Sequence, residues 1–186
     1  MKKNTALVVV VLLIITSCTK KETTPPTAGA TNSVLLAGPK GSSISWKIAS
    51  ISQTVNGTTQ TVVPASASTS GIPACEADNI FQFSYTSSQS YQQTEGATSC
   101  TAGDPSTVEK GSWAFTDDGK TLLIDGTVNI TVAQVQLQAE PFLGLMILDG
   151  QPLTVTQLTA TSLTLSYSYI DSNSATNVIT LVFSKM

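Results

Sequence analysis

The chain has 186 residues, with 9 lysines, no arginine, no histidine and 12 acidic residues, for a net charge of −3. Without histidine there is no Ser–His or Cys–His relay and no histidine-bound metal. Without arginine the usual bidentate clamp for phosphate or carboxylate is missing, and an acidic chain with no basic stripe is a poor partner for nucleic acid. No Gly-x-Ser-x-Gly elbow, P-loop or Gly-x-Gly-x-x-Gly helix start occurs. Glu95, Glu109, Asp125 and Glu140 are candidates for a carboxylate pair, but strand and turn positions account for them, so no catalysis is expected. No cofactor or metal is called for.

In chain order, Lys2 and Lys3 precede an apolar run from Ala6 to Ile15. Its length of about ten residues suits a signal peptide and falls short of the roughly 20 residues of a spanning helix. Ile15-Thr16-Ser17-Cys18 resembles the lipobox of bacterial lipoprotein signal peptides. The resemblance implies a signal peptide over residues 1–17, with Cys18 as the lipidated first residue of the mature chain. The protein would then lie in the cell envelope, in the outer membrane of a Gram-negative bacterium, with the lipid as its membrane contact. Loss of Lys2 and Lys3 leaves 7 lysines against 12 acids, a net charge of −5. Residues 18–32, with Pro25-Pro26 among Thr, Ala and Gly, read as an extended tether. Residues 33–186 form one domain with one core.

Within the domain the dominant period is two, as in half-buried strands. It appears in Phe81, Phe83 and Tyr85, in Trp113 and Phe115, in Leu163, Leu165, Tyr167 and Tyr169, and in Ile179, Leu181 and Phe183. Asn56-Gly57 is a hairpin signal between Trp46–Val55 and Thr58–Val63. Ser87-Ser88-Gln89, Asp117-Asp118-Gly119-Lys120 and Asp171–Thr176 mark further turns. The apolar parity changes within Thr127–Gln138, which predicts a bulge near Ala133. Pro141–Leu148 fits a short helix, a packed loop or a buried strand equally well. The pattern predicts an all-β protein: an antiparallel up-and-down β-barrel of about eight strands, with a two-sheet β-sandwich as the alternative.

Cysteines add one constraint. With Cys18 acylated, Cys75 and Cys100 remain in an oxidising compartment, and a disulfide is expected between them; a thiolate metal site or a reactive thiol is the alternative. Asp78 and Asn79 are suited to cap the turn into the Phe81 strand. Read instead as a site, Glu76 and Asp78 are too few acids for a calcium loop.

An ordered string of motifs resembles the lipocalin-like domain of bacterial exported lipoproteins. It runs Cys75-x-x-Asp78-Asn79, Phe81-x-Phe83, Tyr91, Glu95-Gly96, Cys100, Glu109-x-Gly111-x-Trp113-x-Phe115, Thr121-Leu122 and Leu158-Thr159-x-Thr161-x-Leu163-x-Leu165. The resemblance implies a lipocalin-type barrel with a Cys75–Cys100 disulfide, and no particular ligand. Lipocalins proper carry Gly-x-Trp and a basic residue over the tryptophan. Here Ile44-Ser45 precede Trp46, and only Lys185 can take the basic role. Trp46 is expected to plug the barrel bottom. Phe81, Phe83, Tyr85, Trp113, Phe115, Tyr167 and Tyr169 are the candidate ligand-binding interior. The expected function is non-catalytic binding of a small apolar or amphipathic molecule; the alternative is a packed structural or protein-interaction module, with Gly144–Leu148 as its apolar patch.

Overall fold

The computed structural model describes residues 25–62, 74–99, 102–103, 106–129, 150 and 152–186. The expected signal peptide over residues 1–17, Cys18, Cys100, the parity change near Ala133 and segment 141–148 lie outside the described residues. Among those described, the elements are α1 (Ala28–Ala37), β1 (Ser42–Val55), β2 (Thr58–Val62), α2 (Ala74–Ala77), β3 (Ile80–Tyr85), β4 (Gln89–Thr94), β5 (Thr107–Phe115), β6 (Thr121–Val128), β7 (Leu153–Leu158), β8 (Ser162–Ile170) and β9 (Thr176–Lys185).

The strands pair antiparallel in the order β2-β1-β3-β4-β5-β6-β7-β8-β9, and β1 also pairs with β9. The sheet therefore closes on itself as an eight-stranded barrel, consistent with a lipocalin-like barrel and not with a two-sheet sandwich. β2 is the strand left outside the ring. Along one edge of β1, Ser42–Lys47 pairs with β3 and Ile51–Val55 pairs with β2. The opposite edge pairs with β9 from Trp46 to Val55. The β6–β7 seam is short, at Thr121↔Thr154 and Leu122↔Leu153.

The predicted turns form. Asn56 (φ 46°) and Gly57 (φ 84°) both take the left-handed conformation that a tight two-residue hairpin demands. Asp118 closes the β5–β6 turn by accepting the Lys120 N–H at 3.0 Å and the Thr116 hydroxyl at 2.7 Å. These bonds to its charged form lower the Asp118 pKa.

Bulges keep the apolar residues inside where the alternation breaks. In β1 the register with β9 shifts between Ile48 and Ser50, so Trp46 and Ile48 and then Ile51 all face the core. In β5 the register with β4 shifts at Gln93/Thr94. Val108 is the extra residue there, and both Val108 and Glu109 are buried.

Residues 28–32, read from composition as tether, instead begin helix α1. Its first turn is capped by the Thr27 hydroxyl, which accepts the Ala30 N–H at 3.2 Å. It stops at Gly38 (φ 84°), whose N–H reaches the Val34 carbonyl. α1 lies across one end of the barrel. Gly29 packs so closely on the Thr116 carbonyl that a Cβ would collide with it, and Asn32 Nδ2 donates to the Gly119 carbonyl at 2.9 Å. From below, Trp46 Nε1 donates to the Leu36 carbonyl at 2.9 Å. Trp46 does plug this end, and the exposed Lys185 stands beside it in the register.

The outer wall carries two polar rows. Across β1, β3, β4, β5 and β6, one row of register partners is Ser45, Gln82, Gln92, Lys110 and Thr127; the next is Ser43, Ser84, Ser90, Ser112 and Asp125.

Candidate functional site

The inward face grades from apolar to polar along the barrel axis. Near α1 it is an aromatic cluster. Phe83 meets Trp113 edge-on with ring centroids 6.1 Å apart and Tyr91 at 5.1 Å, while Tyr85 and Phe115 flank Trp113 at 6.2 and 5.9 Å. Trp113 Nε1 donates to the Ser84 carbonyl at 3.2 Å, so the indole is buried with its polar atom satisfied. Phe81 packs edge-on against Phe183 at 5.2 Å. Burying side chains of this size contributes about 1.5–3 kcal/mol each, and this half of the barrel is held by them.

One step further along β4 and β5 the interior turns polar. Gln93 and Glu109 are register partners, both 0 % exposed. The Tyr91 hydroxyl donates to Gln93 Oε1 at 3.4 Å. Room for the Glu109 side chain comes from Gly126, where a Cβ would lie 2.8 Å from Glu109 Oε1. Glu109 thus faces Gln93, with Glu95 beyond the bulge.

At the end opposite α1, β1, β8 and β9 carry a chain of amides and phenols. Gln53 Nε2 donates to Asn177 Oδ1 at 2.7 Å and to the Tyr169 hydroxyl at 3.4 Å. Asn177 Nδ2 donates in turn to Asp171 Oδ2 at 3.2 Å and to the Ala175 carbonyl at 3.1 Å. Asp171 also accepts the N–H groups of Asn173 and Ala175, each at 2.9 Å, and these bonds lower its pKa. Tyr167 and Tyr169 stack with centroids 6.4 Å apart. Burial of the Tyr167 phenol, reinforced by Tyr169, pushes its pKa up to about 12.

The predicted interior residues thus divide between two places. Phe81, Phe83 and Trp113 are buried in the core, and Tyr85 and Phe115 are half-buried against it near α1. Tyr167 is half-buried and Tyr169 is 37 % exposed at the other end. Sequence reasoning missed Gln53, Gln93 and Asn177, since glutamine and asparagine in a strand pattern give no sign of which face they occupy. Glu109 was marked only as a carboxylate; its inward place follows from its parity with Trp113.

Cys75, in α2, is disulfide-bonded. Asp78 Oδ2 accepts the N–H groups of Ala97 at 2.9 Å and Thr98 at 3.0 Å, tying α2 to the loop after β4. Gly96 permits this approach, because a Cβ there would collide with Asp78. Among the described residues no group of three or more His, Cys, Asp or Glu is placed to hold a metal. No described helix is long and apolar enough to cross a membrane.

No family model matches the chain, and no curated protein matches it.

Proposed function

We propose that the protein is an envelope lipoprotein of lipocalin-like type that binds a small apolar or amphipathic molecule without catalysis. The observation that carries this reading is the polarity gradient inside a closed barrel. One end is sealed by α1 over Trp46, the wall beside it is aliphatic and aromatic and turns polar at Gln93 and Glu109 on β4 and β5, and the far end presents the phenols of Tyr167 and Tyr169 with the amides of Gln53 and Asn177. An amphipathic molecule set in that end would lay its apolar part along the wall and its polar head on the amides.

Cys18 is the lipid anchor, and the membrane is the outer membrane. Cys75 pairs with Cys100, a pairing supported by the Asp78 clamp, which holds residues 96–98 alongside α2. Replacing Cys18 is expected to release the protein from membranes; continued membrane fractionation would refute the anchor.

A second reading is favoured by one observation. The α1 half of the interior is filled by wholly buried side chains, among them Trp46, Phe81, Phe83, Tyr91 and Phe183. A barrel packed throughout would act as a structural or interaction module. Native mass spectrometry of the mature chain, purified gently from its own host, separates the two. A reproducible added mass lost on denaturation supports the carrier; a bare mass favours the packed module.

A further inference from the structure

The outer wall of the barrel carries a groove of its own, separate from the interior. It has a volume of about 450 Å³ and crosses β3 to β6, with Gln82, Ser84, Gln92, Lys110 and Thr127 on its sides. A convex barrel wall does not ordinarily hold a depression, and the cause here is local. Gly111 and Gly126 are register partners on the inward face. The backbones approach so closely that a Cβ on Gly111 would collide with the Asp125 carbonyl and the Gly126 Cα. Neither glycine has a side chain, so the neighbouring outward side chains stand beside bare backbone at that point.

The chemistry of the lining selects among ligands. β3, β4 and β5 are each flanked on both edges by ladder partners, so none of the three offers an open backbone edge to an added strand. The one aromatic residue that borders it, Tyr91, is buried in the core, so the groove offers no open hydrophobic pocket to anchor a peptide. Among the described residues that line it, Lys110 is the one cation, too little for a polyanion. What the groove does offer is a row of side-chain amides and hydroxyls, each able to donate and accept. Gln82 and Gln92 are direct cross-strand neighbours. Their present bonds are long, 3.5 Å from Gln82 Nε2 to Ser45 Oγ and 3.4 Å from Gln92 Nε2 to Thr107 Oγ1. Such bonds exceed the usual range of about 2.7–3.2 Å and are readily exchanged for a ligand's.

We infer that this groove is a second site, which binds a short glycan segment lying across β3 to β6. Four strands at about 4.8 Å spacing give a track of about 14 Å, the reach of a short oligosaccharide. Vicinal sugar hydroxyls match adjacent amides, since each hydroxyl donates to one carbonyl and accepts from one amide N–H. The inference does not depend on what the barrel interior binds.

The test is amide NMR of the full mature chain titrated with short, uncharged β-glucan, chitin and xylan fragments. At least one fragment is expected to shift the amides of Gln82, Gln92, Lys110, Gly111 and Thr127. A Gln82→Ala/Gln92→Ala double variant, with both substitutions on the solvent face, is expected to keep its spectrum elsewhere and bind about tenfold more weakly, the loss of one or two hydrogen bonds. Three results would overturn the inference: no fragment shifts these amides, the shifts cluster elsewhere, or the double variant binds as tightly as the parent.

Discussion

Asp78 shows how one side chain can set the course of a loop. A single carboxylate oxygen holds the N–H groups of Ala97 and Thr98, and bonds to a charged acceptor are stronger than neutral ones. Asp78→Ala is expected to cost about 2 kcal/mol in urea denaturation and to speed amide exchange at residues 97 and 98. Gly96→Ala is expected to act through the same contact, since the added Cβ would meet Asp78. Tyr167 gives a pH signature at the same scale. Its folded pKa, about 12, lies above the ordinary value of 10.0, so below that value its contribution to stability is fully present. As pH rises, the unfolded chain loses its proton first, and the contribution is lost through the folded pKa. Stability should therefore fall between about pH 10 and 12, and Tyr167→Phe should flatten that part of the curve. Asp118 and Asp171 have the opposite sign. Their lowered values place the loss on the acid side, as pH falls below 3.8.

Among the elements, the strands were legible and the helix was not. Period-two alternation marked β3, β5, β8 and β9 because each buries one face, and Asn56-Gly57 marked the first hairpin because few other residues tolerate its backbone. α1 also presents a face with helical spacing, through Gly29, Ser33, Leu36 and Ala37. Three of these four are small or polar, so no apolar stripe appears in the sequence. The face is buried by close backbone approach rather than by bulk. Its stop signals, Thr27 before and Gly38-Pro39 after, were in view but carry weight only once a helix is suspected. Leu36→Ala is expected to destabilise the protein by about 3 kcal/mol. It should also shift the emission of Trp46 to the red, measured in a Trp113→Phe background, as water reaches the indole beneath the helix.

At the scale of the whole molecule, closure is the property that local patterns cannot contain. Trp46–Val55 meets Asn177–Lys185 across more than 120 residues of chain, through nine register pairs. Nothing in either strand names the other. The count of about eight strands was correct for the ring because β2 leaves it after one hairpin. The candidate site was legible in part: the aromatics were identified, but their division between a packed half and a polar rim depends on bulges and on the tilt of the strands. A Cys75–Cys100 bond would close a loop of about 25 residues. Reduction is therefore expected to cost about 3.5 kcal/mol in the chain-entropy treatment, read as a lower urea midpoint, while far-UV circular dichroism stays β-type under native conditions.

The placement of α1 also decides how the molecule would answer a pull. The chain reaches the barrel through Pro25-Pro26 and then the helix, whose fastenings follow in order: Gly29 to the Asp117 carbonyl, Asn32 to Gly119, Ser33 to Gln89, and Leu36 to Trp46. Tension applied from the N-terminal side would load these one after another, so they would part singly, like a zipper. The β1–β9 ladder, with its many bonds side by side, would carry load together and hold longer. The helix would act as a mechanical fuse, lengthening under modest force and laying bare Trp46 while the barrel stays whole.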